Sequence, residues 1–203
     1  MNSILPSIMQ SIHSFHCKNI ATGRKGFEVR KTKPNIPTPF KVYIDCTKDG
    51  HTLYYDIDHT RVNLYHAKAH SQFAASRLLN GKVIGEYICD EIQEWVFDNE
   101  YTRSYDISDD DLALTCLTQE QLWEYGKGKT LYGYHISNLK IYDEPKELSR
   151  FGTECNLDCP SVRCPYWKYQ RVNADEWDYD CSCNNIRPLT RPPQSWCYCE
   201  EVD

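Results

Sequence analysis

Apolar and polar positions change period every few residues along this chain, which points to many short elements. Over 11–22, Ile12, Phe15 and Ile20 fall near one helical face and Gly23 offers a stop, so the spacing predicts a short helix. His13 and His16, three apart on it, read as surface or packing residues. Residues 27–32 read as a strand. Over 40–46, Phe40, Val42, Ile44 and Cys46 alternate with Lys41, Tyr43 and Asp45, the period of a strand. The stretch from Lys33 to Pro39 holds three prolines and is expected to be a loop. The clearest strand spans 82–93, with Ile84, Glu86, Ile88, Asp90 and Ile92 on one face. Residues 49–80 carry the weakest pattern, with a helix expected at 66–80. The acidic stretch 98–111 is expected to be a solvated loop. Thr118-Gln119-Glu120-Gln121 forms a capping box opening a helix that Gly126 closes. Residues 130–142 read as strand, turn, strand. Short strands with short helices between them imply an α+β fold on a mixed β-barrel, not a parallel βαβ sheet.

One stretch concentrates chemistry. Gly23-Arg24-Lys25-Gly26-Phe27-Glu28-Val29-Arg30-Lys31 sits in a turn between the predicted helix and strand. If the part after the turn is extended, Glu28 and Arg30 point to the same face, and Lys25 enters from the turn. A cation, an anion and a second cation on one face can hold a polar ligand, polarise a phosphate, or neutralise one another. Glu86, flanked by isoleucines, needs a partner or water. It either touches solvent at the barrel rim or meets Lys25 or Arg30 across the mouth.

Charge sharpens this picture. The chain carries a net −6, yet residues 1–48 hold eight Lys/Arg against two Asp/Glu, leaving a strongly acidic remainder. A basic segment against an acidic remainder can focus an anionic ligand, or can be a solvated face. With 203 residues, one medium domain plus an appendage is expected. No run of 18 apolar residues occurs, and Met1–Pro6 lacks a secretory pattern, so a cytosolic protein without a membrane span is expected.

The cysteines divide the chain. Four of eleven are scattered through the first 150 residues, and seven crowd into 155–199. In a cytosolic chain, clustered cysteines more often bind metal than form disulfides. Cys155, Cys159 and Cys164 can converge in a short knuckle, with Cys181 or Cys183 returning as a fourth ligand. Tetrahedral zinc on Cys155, Cys159, Cys164 and Cys183 is the expectation; the other reading is a set of free thiols. Cys197 and Cys199 alternate on a last strand and read as structural.

The motif GRKGFEVR resembles the signature of ASCH domains, a PUA-like family of small β-barrels tied to RNA biology. Three further blocks agree: GKVIGEYICDEI around Glu86, GKTLYGYHISNLKIYDEPKELSRF at 128–151, and RPPQSWCYCE at 191–200. Together they look like ASCH-type proteins of bacteriophages and mobile elements, over residues 4–151 and 187–200. The resemblance implies a PUA-like barrel over 1–151 plus 187–203, with a cysteine-rich insertion at 152–186. It implies RNA or a nucleotide as partner, with Lys25, Arg30, Lys31 and Lys33 toward phosphates. Glu28 would accept from a base edge or orient Arg30, and Tyr43 or Trp196 would stack a base. A core role anchoring the last strand is the other reading of Trp196. Some relatives look like hydrolases of acylated cytidine or ribonucleases, with the motif lysine, here Lys25, central. The amide hydrolases carry a threonine nucleophile where this chain has Glu28, which turns that reading toward a ribonuclease. There Lys25 would stabilise the phosphorane charge, and Glu28 or Glu86 would move protons. A role through a protein partner is a third reading.

Overall fold

The computed structural model describes residues 5–56, 61–65, 77–99, 101–154, 167–173, 176–181 and 186–202. Its main sheet has five strands: β1 (Ser7–Ile12), β3 (Phe40–Cys46), β6 (Val83–Cys89), β11 (Ser137–Lys146) and β16 (Trp196–Tyr198). Their order is β11-β6-β3-β1-β16. β1 and β3 pair in parallel, so the chain must leave the sheet between them. That crossover holds α1 (Ser14–Ala21) and β2 (Phe27–Arg30), and with them the basic motif.

β2 belongs to a second sheet, β2-β10-β7, with β10 at Leu131–His135 and β7 at Ile92–Trp95. Residues directly opposite in such a ladder point to one side, so Glu28, Arg30, Tyr134, Tyr132, Ile92 and Glu94 share a face. That face looks toward the main core, where Ile8, Ile12, Phe40, Ile44, Ile84 and Tyr87 are fully or almost fully buried. The opposite face, Phe27, Val29, Leu131 and Trp95, packs on Leu122 of α3 (Gln119–Gly126). Helix α2 (Asp109–Thr115) precedes α3. A third sheet, β15-β12-β17, joins Phe151–Glu154 (β12), Ile186–Pro188 (β15) and Glu200–Glu201 (β17). Its Phe151 packs with Met9, Tyr43 and Tyr142 on the far side of the main sheet. Three hairpins complete the described residues: β4 (Thr52–Tyr55) with β5 (Val62–Tyr65), β8 (Phe97–Asn99) with β9 (Ser104–Tyr105), and β13 (Trp167–Asn173) with β14 (Glu176–Cys181). The described residues are thus mostly β with three short α-helices and a 3-10 turn at Leu148–Arg150.

Several expectations are corrected. The helix predicted over 11–22 begins only at Ser14, because residues 7–12 form a strand between two neighbours. The strand predicted over 82–93 is two strands in different sheets, broken at Asp90 and Glu91. A bulge against β3 inserts Ile84, since Ile44 pairs with Gly85 while Asp45 pairs with Val83. One extra residue reverses the side of everything beyond it. Ile84 and Tyr87 therefore both enter the core, and Glu86 faces the other way. The stretch 98–111 contains β9 and the start of α2. The α3 capping box forms as predicted, with Thr118 and Gln121 bonding reciprocally. Of the helix expected at 66–80, residues 66–76 lie outside the described residues, and Leu78 forms a bridge with Tyr54.

Candidate functional site

The motif turn is closed by the end of α1. Gly23 adopts φ +70°, which a side chain disfavours, and Asn19 O accepts from the amides of both Arg24 and Lys25. Gly26 donates its amide to Leu114 O at 2.8 Å, and a Cβ there would lie 3.2 Å from the Leu114 side chain. The second motif glycine thus lets α2 seat directly on the turn. A helix leaves its last carbonyls without intrahelical partners. Thr115 O, at the end of α2, accepts from Lys25 Nζ at 2.6 Å.

This seating drives Lys25 inward, to 3% exposure, beside Glu28 at 5% and Arg30 at 6%. Glu28 lies between the two cations. Its Oε1 is 3.1 Å from an Arg30 terminal nitrogen, and its Oε2 is 3.5 Å from Lys25 Nζ. Arg30 also donates to Ser11 O at 2.9 Å, tying β2 to β1. Burial alone would push the Glu28 carboxyl up, but Lys25 and Arg30 together outweigh it and hold the group below the usual carboxylate range. Burial pulls the Lys25 amine below its ordinary value, against the pull of Glu28. Burial, then the Lys25 charge, lowers His16 to about 4, so its ring is neutral near pH 7.

These groups line a cavity of about 190 Å³. Ser11, Ile12, His13 and His16 form one wall, Lys25, Glu28, Val29 and Arg30 the floor, and Leu117, Gln121 and Tyr125 the other wall. Three buried polar atoms here have no hydrogen-bond partner: Arg30 Nε, Glu28 Oε2 and His16 Nδ1. At the mouth, Lys31 Nζ stands 4.5 Å from the centre of the Tyr125 ring. The cavity thus presents a donor, an acceptor, a ring nitrogen and an aromatic wall, with one net positive charge from the buried trio.

Solved structures similar to this chain include the crystal structures of ASCH from Zymomonas mobilis and of a tyrosine-to-phenylalanine mutant of the same protein. Each is 14% identical with a TM-score of 0.46, and the match covers 70% of this chain and 74% or 76% of theirs. The chain is similar to these ASCH structures. No family model and no curated protein sequence matches it.

Of the residues expected at the site, Lys25, Glu28 and Arg30 converge and Lys31 lies at the mouth. Glu86 does not meet Lys25 or Arg30. It accepts from Tyr142 Oη at 2.7 Å and lies 3.4 Å from Lys41 Nζ, because the bulge turns it to the far face. Tyr43 is on that far face too, its ring 4.8 Å from Phe151 and 5% exposed. Trp196 packs against the main core and donates its indole N–H to Thr32 Oγ1 at 2.9 Å. Cys155, Cys159, Cys164 and Cys183 lie outside the described residues. Among the described residues no group of three or more His, Cys, Asp or Glu is placed to hold a metal ion. No helix among them is long and apolar enough to cross a membrane.

Sequence reasoning took His16 for a surface or packing residue and did not single out Gln121 or Tyr125. His16 shares the helix with His13, but the periodicity of eight residues does not say which side meets the motif. Tyr125 and Gln121 sit on a helix whose capping was legible while its docking direction was not.

Proposed function

We propose that this protein is an ASCH-type, PUA-like domain that binds RNA or a nucleotide by taking one unpaired base into the Lys25–Glu28–Arg30 cavity. The observation that carries this reading is Arg30 Nε, buried without a hydrogen-bond partner, beside Glu28 Oε2, whose one contact is the 3.5 Å ion pair to Lys25 Nζ. One donates and one accepts, which complements the hydrogen-bonding edge of a nucleobase. Tyr125 offers the ring against which such a base stacks. A volume near 190 Å³ lies below that of ordinary drug-sized pockets, and suits one base rather than a duplex. Arg30, committed to Glu28 and Ser11 O, reads the base rather than a phosphate, and exposed Lys31 is left for the phosphate.

A second reading, RNA cleavage, rests on Lys25, whose lowered pKa and hydrogen bond to Thr115 O make it a proton donor held in place. Glu28 would be its proton partner; Glu86 is too remote to take part. Labelled single-stranded RNA, incubated with the native protein and with Lys25→Ala, separates the two. Retention without cleavage is the expected result. Cleavage lost in the variant would make the protein an enzyme. Neither signal would remove both readings. The cysteine-rich segment is proposed to hold one zinc on Cys155, Cys159, Cys164 and Cys183. Elemental analysis should find one zinc per chain, reduced in Cys155→Ser.

A further inference from the structure

Past Lys31 the motif strand continues into a mostly exposed, proline-rich segment, Thr32-Lys33-Pro34-Asn35-Ile36-Pro37-Thr38-Pro39, that does not line the cavity. This segment is tied down from three directions. Thr32 O accepts from Tyr134 Oη at 2.8 Å, Thr32 Oγ1 accepts from Trp196, and the Asn35 amide donates to Tyr198 Oη at 2.9 Å. Three prolines restrict its backbone further. It walls a groove of about 390 Å³ that shares no residue with the cavity and is lined by Lys33 to Thr38 and Ile92.

Lys33 is the groove residue nearest in sequence to Arg30 of the cavity floor. Its Nζ lies 5.2 Å from the centre of the Tyr132 ring and bonds Glu94. Tyr132 sits directly between Arg30 and Glu94 on neighbouring strands. Two strand spacings, roughly 10 Å, therefore separate the cavity floor from the groove's edge. That is a distance one step along a single nucleic-acid strand can span. Tyr198, 44% exposed on β16, adjoins the segment through its bond to the Asn35 amide, beside the groove rather than in its lining.

We infer that this groove is a second subsite for single-stranded nucleic acid, holding the nucleotide next to the one whose base enters the cavity. The inference rests on the proposed function above and narrows it: the ligand is an oligonucleotide, not a free nucleoside or mononucleotide. Lys33 meets the linking phosphate, exchanging Glu94 for it. Asn35 and Thr38 supply polar groups, and Tyr198 supplies an aromatic surface for the neighbouring base. The restrained backbone lowers the ordering cost of binding.

The test measures affinity for a mononucleotide and for a hexanucleotide RNA of mixed sequence, over a range of salt, with polyglutamate as a polyanion without bases. The native protein is expected to bind the hexamer at least about tenfold more tightly than the mononucleotide, one stacked base's worth. Lys33→Ala should lower that ratio and flatten the hexamer's salt slope by about 0.7, the loss of one phosphate contact on a single strand. Glu94→Gln, at an exposed position, should raise the ratio by releasing Lys33. Tyr198→Phe keeps the ring and loses the bond to Asn35; Tyr198→Ala loses both and should cost about tenfold in hexamer affinity. A native ratio near one, with mononucleotide binding intact, would overturn the subsite and leave the cavity reading standing. Polyglutamate binding as tight as the hexamer would also overturn it, since charge alone would then suffice. Hexamer binding that survives Glu28→Gln but falls with Lys33→Ala would uphold the groove and remove the cavity reading instead.

Discussion

Glu28 stabilises two buried cations at once, so its removal is the most damaging single change at the site. Glu28→Gln would leave Lys25 and Arg30 without their shared anion, and breaking a buried pair in this way costs about 3–5 kcal/mol. Lys25→Met leaves Glu28 with Arg30 and should cost clearly less. Urea unfolding of the two variants checks the order, and an equal loss would mean that Lys25 and Glu28 act as a single pair. The trio was legible in the sequence because alternation on a strand fixes which side chains are neighbours. Glu86 was misread for the same reason, since alternation holds only until a bulge interrupts it. The Gly85 that neighbours the bulge would carry a Cβ against Lys140 O, a backbone atom that cannot give way cheaply. That was the one hint in the chain that β6 is irregular there.

Among the elements, α1 depends on a residue far from it in sequence. His13 at its N-cap makes no side-chain cap; Asp49 instead accepts from Ser14 N at 2.8 Å and from Ser14 Oγ at 2.7 Å. Asp49→Ala is expected to cost about 1–2 kcal/mol, as cap removals do. Hydrogen exchange should then rise across 14–21 more than elsewhere, and affinity for the ligand should fall, because α1 brings His13 and His16 to the cavity. Uniform exchange across the molecule would show that the cap does not act locally. The strand before it went unread because β1 is buried on both faces, with Ile8 and Met9 both at 0% exposure. Its sequence, Ser7-Ile8-Met9-Gln10-Ser11-Ile12, buries the polar Gln10 and Ser11 beside the apolar residues, so it shows neither strand alternation nor a continuous apolar run. By contrast, β3 and the α3 cap carry their signals locally, and both were legible.

At the scale of the whole molecule, two buried groups oppose each other in the response to acid between about pH 4 and 6, above the range where the lowered Glu28 carboxyl takes up its proton. His16 is lowered to about 4 from 6.5, so the unfolded chain binds its proton first and stability falls as pH drops through that window. Burial raises Asp45 from 3.8 to about 6, so the folded chain binds that proton first and stability rises as pH drops from 6 to 3.8. The windows overlap, and stability should stay nearly flat between about pH 4 and 6 while each group alone would give up to about 1.4 kcal/mol per pH unit. Asp45→Asn should expose the His16 slope, with stability climbing from pH 4 to 6.5 in denaturant titrations; a curve still flat would exclude His16 as the opposing group. A different consequence follows from the pairing of Glu154 with Ile186 across β12 and β15. The stretch between them leaves and re-enters the sheet at adjoining rungs, so its length is no constraint on the strands that flank it. Such a seam works as a socket. Replacing 155–185 with a two-residue Asn-Gly turn should leave the cavity and its ligand binding intact, and an unrelated small domain grafted there should fold without disturbing its host.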